Sequence, residues 1–122
     1  MSNGKKILVI DDEPYYIDAV RMRLEAMGYD VQSAEDGRQG FDRARKERPG
    51  LILLDLVMPA SNGFETLSRL KADPATSYIP VIVVSAKVET EYVVDAGSLG
   101  AVDYIMKPVP METLVEKIQR YV

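Results

Sequence analysis

Three carboxylates in a row follow the first apolar run of the chain. The run is Ile7–Ile10, and Asp11, Asp12 and Glu13 come directly after it. Two like charges about 4 Å apart repel one another by roughly 4 kcal/mol at an effective dielectric constant near 20. Acids held together in this way favour a compensating positive charge, and a bound divalent cation can supply it. The two aspartates suit that role, whereas Glu13 is interpreted only as a residue at the start of a helix.

Polar side chains also follow three later apolar runs. Taken singly, each has an ordinary explanation. An aspartate after a strand is usually a turn or helix-capping residue, a serine there is usually a turn hydroxyl, and a lysine is usually solvated. Their significance depends on whether the fold brings them together. The three are Asp55 after Leu51–Leu54, Ser85 after Val81–Val84, and Lys107 after Ala101–Met106.

The apolar runs alternate with amphipathic stretches, which predicts five strands and five helices in alternation. Three of the runs are almost continuous Val, Ile and Leu, as is typical of strands that are buried on both faces of a parallel sheet. The predicted strands are Ile7–Ile10, Tyr29–Ala34, Leu51–Leu54, Val81–Val84 and Ala101–Met106.

Apolar residues at helical spacing fill the intervals between these runs. Pro14 suits the first turn of the first helix, and Gly28 lies where a C-terminal cap belongs. The apolar stripes of the five predicted helices are Ile17, Val20, Leu24 and Met27; Phe41 and Ala44; Phe64, Leu67 and Leu70; Val88, Tyr92 and Ala96; and Met111, Leu114, Val115 and Ile118.

A (βα)5 pattern predicts an α/β fold, a doubly wound parallel sheet with right-handed crossovers and helices on both faces. Ligands of such sheets bind beyond the carboxyl ends of the strands, so the polar side chains above converge on one edge. Clustered carboxylates favour Mg²⁺, and a carboxylate beside that cation can act as a nucleophile and form an acyl phosphate. A hydroxyl and an ammonium could then neutralise phosphoryl oxygens. Asp55 stands alone on a central strand and is the best candidate nucleophile, while Asp11 and Asp12 suit the metal.

The composition excludes several other chemistries. The 122 residues contain no cysteine and no histidine, which excludes disulfides, thiolate or imidazole metal ligands, a Ser-His-Asp triad and a phosphohistidine on this chain. A net charge of −4 does not favour direct binding of nucleic acid. The sequence shows neither a membrane span nor a signal-peptide pattern. We therefore expect one cytoplasmic domain, residues 1–122, with a short tail at residues 1–5.

With these residues the chain resembles the receiver domain of response regulators in two-component signalling, from Lys6 to about Tyr121. Any one motif would be weak evidence, but the order and spacing of all four agree with the family. The resemblance also implies the flavodoxin-like strand order 2-1-3-4-5. The motifs are the pair Asp11-Asp12, DLVMPASNG from Asp55 to Gly63, VSA at Val84–Ala86, and GAVDYIMKP from Gly100 to Pro108.

The resemblance implies that Asp55 accepts a phosphoryl group from a histidine kinase or a histidine phosphotransfer protein. That partner would supply the histidine that this chain lacks. Asp12 and Asp55 would bind Mg²⁺ directly, together with the backbone carbonyl of Val57, and Asp11 would act mainly through a metal-bound water. The only reactions catalysed would be phosphorylation and dephosphorylation of the domain itself.

The resemblance also implies a switch. Lys107, the Ser85 hydroxyl and the Ala86 N–H would bind the phosphoryl oxygens, and the peptide bond between Lys107 and Pro108 would be cis. As Ser85 moves toward the phosphate, Tyr104 would turn inward and change the surface made by helix four, strand five and helix five. A downstream protein or effector domain would bind that surface, and phosphorylation-dependent dimerisation is left open.

Two positions flank the expected phosphate and, by the resemblance, tune how readily water attacks it. They are Val57, two residues after Asp55, and Lys87, two residues after Ser85. Neither side chain is an acid or amide that would orient a water molecule well, and Lys87 could pair with the phosphate. We therefore predict a comparatively long-lived phosphoryl group.

Other functions are weaker interpretations of the same residues. A phosphatase of the haloacid dehalogenase class would need a second aspartate two residues after the nucleophile, where Val57 stands. A flavin or nucleotide module would need a Gly-, Ser- or Thr-rich loop after strand one, where the sequence is DDEPYY. A degenerate receiver is disfavoured because all five key side chains are present. The sequence does not distinguish a stand-alone protein from a domain of a larger regulator or hybrid kinase.

Overall fold

Five parallel strands form a single twisted sheet. The computed structural model describes residues 5–59, 61–87 and 89–122. The strands are β1 (Lys6–Ile10), β2 (Asp30–Ala34), β3 (Leu51–Leu54), β4 (Val81–Ser85) and β5 (Asp103–Met106). Their spatial order is β2-β1-β3-β4-β5, and every neighbouring pair is parallel. The predicted fold class and strand order are confirmed.

Helices cover both faces of this sheet, so β1, β3 and β4 are buried from both sides. Residues from α1 and α5 pack on one face, and residues from α2, α3 and α4 pack on the other. None of these helices is long and apolar enough to cross a membrane within the described residues. The helices are α1 (Pro14–Ala26), α2 (Gly37–Glu47), α3 (Gly63–Ala72), α4 (Thr90–Ser98) and α5 (Met111–Ile118).

Local sequence signals account for several helix ends. Pro14 is the first residue of α1, and Gly28, just past its end, has φ +95°, a conformation that glycine adopts without strain. Asp36 accepts a hydrogen bond from the Gln39 N–H at 2.9 Å and so caps α2. Asn62 caps α3 in the same way, through the N–H of the second residue of that helix.

Strands two and five are shorter than predicted because their first residues complete the preceding helices. The Tyr29 N–H donates to the Leu24 carbonyl at the end of α1, so β2 begins one residue later. The Ala101 N–H donates to the Ala96 carbonyl at the end of α4, so β5 begins two residues later. Strand four, in contrast, continues to Ser85, one residue beyond the prediction.

A short antiparallel pair between β3 and α3 was not predicted. Val57–Met58 pairs with Ser61–Asn62, and with only two residues on each side it shows no periodicity in sequence. Two predicted features fall partly outside the described residues, namely the tail at residues 1–5 and the Val88 position of the fourth helical stripe. The described part of the tail, Lys5, is paired through its carbonyl with the N–H of the first residue of β2.

Candidate functional site

Asp11 and Asp55 stand side by side at the carboxyl edge of the sheet. Asp11 follows β1, and its N–H donates to the Ala34 carbonyl at 3.0 Å; Asp55 follows β3, and its N–H donates to the Ile10 carbonyl at 3.0 Å. These bonds continue the ladder of the sheet, so the backbone of both acids is fixed. The two residues are only 1% and 6% exposed. Neighbouring central strands therefore hold two nearly buried carboxyl groups against each other.

Asp12 completes a cluster of three carboxyl groups. One oxygen from each of Asp11, Asp12 and Asp55 lies within 4.8 Å of the others. Asp12 is the most accessible of the three and lines, with Asp55, an open cleft of about 760 Å³. Hard oxygen ligands beside space for retained waters are what Mg²⁺ prefers, so this donor set fits a hard divalent cation.

Lys107, which follows β5, places its ammonium group among these acids. Its Nζ lies 2.8 Å from Asp11 Oδ2, 2.6 Å from Glu13 Oε1 and 3.3 Å from Asp55 Oδ2. Its side chain is only 13% exposed. An ammonium group has three N–H donors and no acceptor, so these three contacts account for all of its donors. The positive charge partly offsets the repulsion between the buried carboxylates.

Burial and the charge of the partner act in opposite directions on the pKa values of Asp11 and Lys107. Burial raises the pKa of Asp11 above its usual range, although the Lys107 ammonium and the Glu13 N–H, which donates to Asp11 Oδ1 at 3.0 Å, oppose that change. Burial alone would lower the pKa of Lys107, but its bonds to Asp11 and Glu13 outweigh that effect and raise it. The lysine is therefore held as a cation, and its charge offsets part of the cost of burying the Asp11 carboxylate.

The two oxygens of Asp55 have different surroundings. Oδ1 accepts a hydrogen bond from the Val57 N–H at 3.0 Å, and Oδ2 faces Lys107. The Val57 side chain is 48% exposed and lines the cleft. The turn after β3 thus orients the carboxylate, and the unpredicted antiparallel pair that begins at Val57 holds this turn in place.

Ser85 and Ala86 lie on the side of the site nearer to α4. Ser85 is fully buried, its Oγ accepts a hydrogen bond from the Lys87 N–H at 3.3 Å, and its carbonyl accepts the Lys107 N–H at 2.9 Å. Ala86 is exposed and lines the same cleft as Asp55. Ala86 therefore shares the cleft with Asp55, and Ser85 immediately precedes it at the end of β4. The peptide bond from Lys107 to Pro108, beside them, is cis.

Tyr104 contacts the segment that follows Ala86 and is not among the residues that line the cleft. Its hydroxyl donates to the Lys87 carbonyl at 2.9 Å. Burial raises the pKa of Tyr104, against the opposing effect of a hydrogen bond with Ser85. The Lys87 ammonium lies 5.7 Å from the centroid of the Tyr92 ring. Tyr104 is thus connected by hydrogen bonds to the segment between β4 and α4.

Two residues of the site were missed as participants in the sequence analysis. Glu13 was treated only as a helix-start residue, yet it contacts Lys107 directly. Tyr16 was not singled out, yet Lys107 Nζ lies 4.4 Å from the centroid of its ring. The available signal was spacing, because residues three apart at the start of a helix share one face, and Glu13 adjoins the acidic pair.

Comparison with known proteins agrees with this geometry. The family model described as the response regulator receiver domain matches residues 7–119. The chain is 42% identical to Protein PilH of Pseudomonas aeruginosa, covering 93% of each protein. It is 39% identical to the DNA-binding dual master transcriptional regulator RpaA of Synechocystis, where it covers 93% of its own length but only 47% of that protein.

Solved structures of the same kind superpose closely. The chemotaxis protein CheY4 of Vibrio cholerae gives a TM-score of 0.90 at 29% identity, covering 96% of this chain and 98% of that one. A CheY-like receiver domain protein of Methanospirillum hungatei gives 0.90 at 32% identity, covering 96% and 92%. With the family model matched across almost the whole chain, the protein belongs to the response-regulator receiver domains, the signalling domains of two-component systems.

Proposed function

We propose that Asp55 accepts a phosphoryl group from a phosphohistidine on a partner protein, in a reaction that requires Mg²⁺. The observation that carries this proposal is the position of the Asp55 carboxylate, in an open cleft and within reach of one ammonium group and two further carboxyl groups. Phosphoryl transfer needs little beyond such positioning and charge stabilisation. Membership of the receiver family favours this function over the phosphatase and nucleotide-binding alternatives.

In the proposed reaction an Asp55 carboxylate oxygen attacks phosphorus, and the bond between phosphorus and the partner's imidazole nitrogen breaks. The bonding electrons return to the imidazole, which takes up a proton, and the phosphoryl group becomes an acyl phosphate on Asp55. Asp12 and Asp55 would hold Mg²⁺ with the Val57 carbonyl, and Asp11 would act mainly through water. The cation, when bound, neutralises negative charge on the phosphoryl oxygens.

Three groups of the chain would stabilise the remaining phosphoryl charge. Lys107 already contacts Asp55, and the Ser85 hydroxyl and Ala86 N–H lie at the end of the adjacent strand. The Ser85 Oγ has a long hydrogen bond of 3.3 Å to the Lys87 N–H, which it could exchange for a phosphoryl oxygen. The Tyr104 hydroxyl donates to the carbonyl of Lys87. Movement of Ser85 would thereby reach Tyr104 and the surface made by α4, β5 and α5.

The partners follow from this chemistry. A histidine kinase or histidine phosphotransfer protein would supply the phosphoryl group, since this chain has no histidine. A downstream protein or effector domain would recognise the switched surface. We propose no direct contact with nucleic acid or membrane, and a cytoplasmic location remains a prediction. DNA binding is named for RpaA, of which this chain spans less than half.

The decisive experiment is intact-protein mass spectrometry after treatment with acetyl phosphate and Mg²⁺. We expect a mass gain of one phosphoryl group, which is lost in Asp55→Asn and when the metal is chelated. Asp18→Asn, an exposed aspartate on α1, is the matched control and should be labelled like the wild type. An unlabelled wild type, or equal labelling of Asp55→Asn, would contradict the proposal.

Val57 and Lys87 remain the residues that we expect to set the lifetime of the phosphoryl group. Val57 lines the cleft beside Asp55 and offers no side-chain group to orient water, so hydrolysis should be slow. Val57→Asn should shorten the lifetime several-fold, measured as decay of the labelled protein after the phosphodonor is removed. An unchanged or longer lifetime would show that this position does not limit the attack of water.

A further inference from the structure

Tyr16 forms one wall of the pocket that holds the Lys107 ammonium. The tyrosine lies in the first turn of α1, and its ring packs partly against the core on that face of the sheet. Lys107 Nζ lies 4.4 Å from the ring centroid, well within the distance at which an aromatic face attracts a cation. The ring also lines the cleft that contains Asp12 and Asp55.

The ring does something for Lys107 that the acids do not. All three N–H donors of the ammonium are accounted for by the Asp11, Glu13 and Asp55 oxygens. An aromatic face attracts the charge without a directional hydrogen bond. The ammonium could therefore turn its donors from carboxylate oxygens to phosphoryl oxygens while it keeps the ring contact.

The Tyr16 hydroxyl does not share this role. Its oxygen is enclosed and has no hydrogen-bond partner among the residues that the structure describes. Burial also raises the pKa of Tyr16, so the phenol stays neutral and adds no charge to the site. The structural contribution thus belongs to the ring, and phenylalanine should reproduce it.

We propose that Tyr16 is a positioning residue, whose ring face holds the Lys107 ammonium over Asp55 for phosphoryl transfer. This inference rests on the proposed function, because positioning matters only if Lys107 stabilises the phosphoryl group. A purely structural role for Tyr16 in the packing of α1 is the alternative. The positioning role predicts that removing the ring changes the environment of the Lys107 ammonium, whereas the purely structural role predicts that this environment stays the same.

The first test compares Tyr16→Phe, Tyr16→Leu and Tyr15→Leu. Tyr15 is the adjacent tyrosine, is 90% exposed and serves as the matched control. We measure the initial rate of Asp55 phosphorylation by acetyl phosphate at saturating Mg²⁺. Tyr16→Leu should slow it about three- to tenfold, as expected for a cation–π contact sheltered from water, while the other two stay within about twofold. Equal losses in Tyr16→Phe and Tyr16→Leu would overturn the proposal.

The second test reads the ring contact directly and does not depend on phosphorylation. The ring current of Tyr16 should shift the Cε protons of Lys107 upfield in NMR spectra, with the signal assigned by its loss in Lys107→Arg. The shift should persist in Tyr16→Phe and vanish in Tyr16→Leu, and in Tyr16→Met if the leucine variant does not fold. An unshifted wild-type signal, or a shift that survives without the ring, would refute the contact. A wild type that takes no phosphate would instead contradict the proposed function, while this readout still decides the role of Tyr16.

Discussion

Lys107 and Lys71 are both partly withdrawn from water, but they face opposite kinds of partner. Lys107 lies at the carboxyl edge of the sheet among three carboxylates. Lys71, near the end of α3, donates from Nζ to two backbone carbonyls, that of Ser77 at 3.2 Å and that of Ile79 at 2.5 Å. One ammonium therefore balances full negative charges, whereas the other satisfies peptide dipoles in the connection from α3 to β4.

The pKa values show the consequence. Burial lowers the pKa of Lys71 below its usual value, and its carbonyl partners do not reverse that effect. Burial acts on Lys107 in the same direction, but the bonds to Asp11 and Glu13 raise its pKa instead. Lys71, which bonds only to backbone carbonyls among its described partners, therefore has a structural role. The carboxylates around Lys107 repel one another, so their grouping costs free energy. A cluster of this kind, with an ammonium group among acids, is typical of a site that binds a charged ligand.

The largest effect that this comparison predicts is on phosphorylation in Lys107→Met. Removing one preorganised donor from a site that stabilises developing negative charge typically slows a reaction by about a hundredfold or more. We expect a loss of that size in the rate of Asp55 labelling by acetyl phosphate with Mg²⁺. Lys71→Met is the matched control and should keep the wild-type rate. Similar losses in the two variants would show that the distinction between the lysines is wrong.

The next effect is on stability in Lys71→Met. The substitution removes the donor to the carbonyl of buried Ile79, and leaving a buried acceptor unsatisfied costs about 1–3 kcal/mol, whereas the exposed Ser77 carbonyl can bond to water. The free energy of unfolding, measured by urea denaturation, should fall within that range. A Cβ at Gly100, whose φ is +106°, would lie only 3.1 Å from Lys71 Cγ, so the glycine leaves room for the aliphatic part of Lys71, and methionine preserves most of that part. Unchanged stability would mean that water replaces the ammonium at no cost.

The difference between the two lysines also shows what the sequence could predict. Strand periodicity placed Asp11, Asp55 and Lys107 at strand ends, and parallel topology brings such ends to one edge whatever the details of packing. The fold and its acidic cluster could therefore be predicted from the pattern of residues. This topology brings Lys107 to the same edge as Asp11, 96 residues away in the chain, although their direct hydrogen bond was not predicted.

Contacts that depend on side-chain conformation could not be predicted in this way. Tyr16 touches Lys107 because α1 packs on the same face as the end of β5, at a rotation that periodicity alone does not give. Lys71 occupies a polar position of α3, where a lysine normally extends into solvent. The Val57–Met58 pair is too short to carry any period. In each case the missing information was a distance between elements.

A pH experiment sharpens the comparison, with a smaller expected effect. Because the pKa of Lys71 is lowered in the folded protein, its ammonium group loses a proton at a lower pH there than in the unfolded chain. In the unfolded chain the pKa of this lysine is 10.5. Between the two values the unfolded chain binds more protons, so the free energy of unfolding rises with pH. Urea denaturation from neutral pH toward 10.5 should show the stability advantage of wild type over Lys71→Met increasing. If the stability advantage of wild type decreased with rising pH, the pKa of Lys71 in the folded protein would have to be raised rather than lowered.

The smallest effect concerns Lys6 and Glu47, an isolated lysine–carboxylate pair whose side chains are 21% and 27% exposed, with 2.7 Å between Lys6 Nζ and Glu47 Oε1. The hydrogen bond from Lys6, followed by its charge, lowers the pKa of Glu47 below 4.5. The stability that the pair contributes is therefore present above pH 4.5 and is lost as the pH falls through the lowered value.

We accordingly expect Glu47→Gln to lower the melting temperature slightly at neutral pH and low salt, and not at all in acid. Salt should also reduce the difference, since mobile ions screen charges that reach the solvent. Glu116→Gln, an exposed glutamate on α5, is the control. A loss as large as that of Lys71→Met would contradict the comparison, because it would give a single, partly exposed ion pair the weight of a lysine bonded to a buried carbonyl. A small, salt-sensitive loss would support the number of carboxylates around the ammonium, two of them nearly buried, as what separates Lys107 from Lys6.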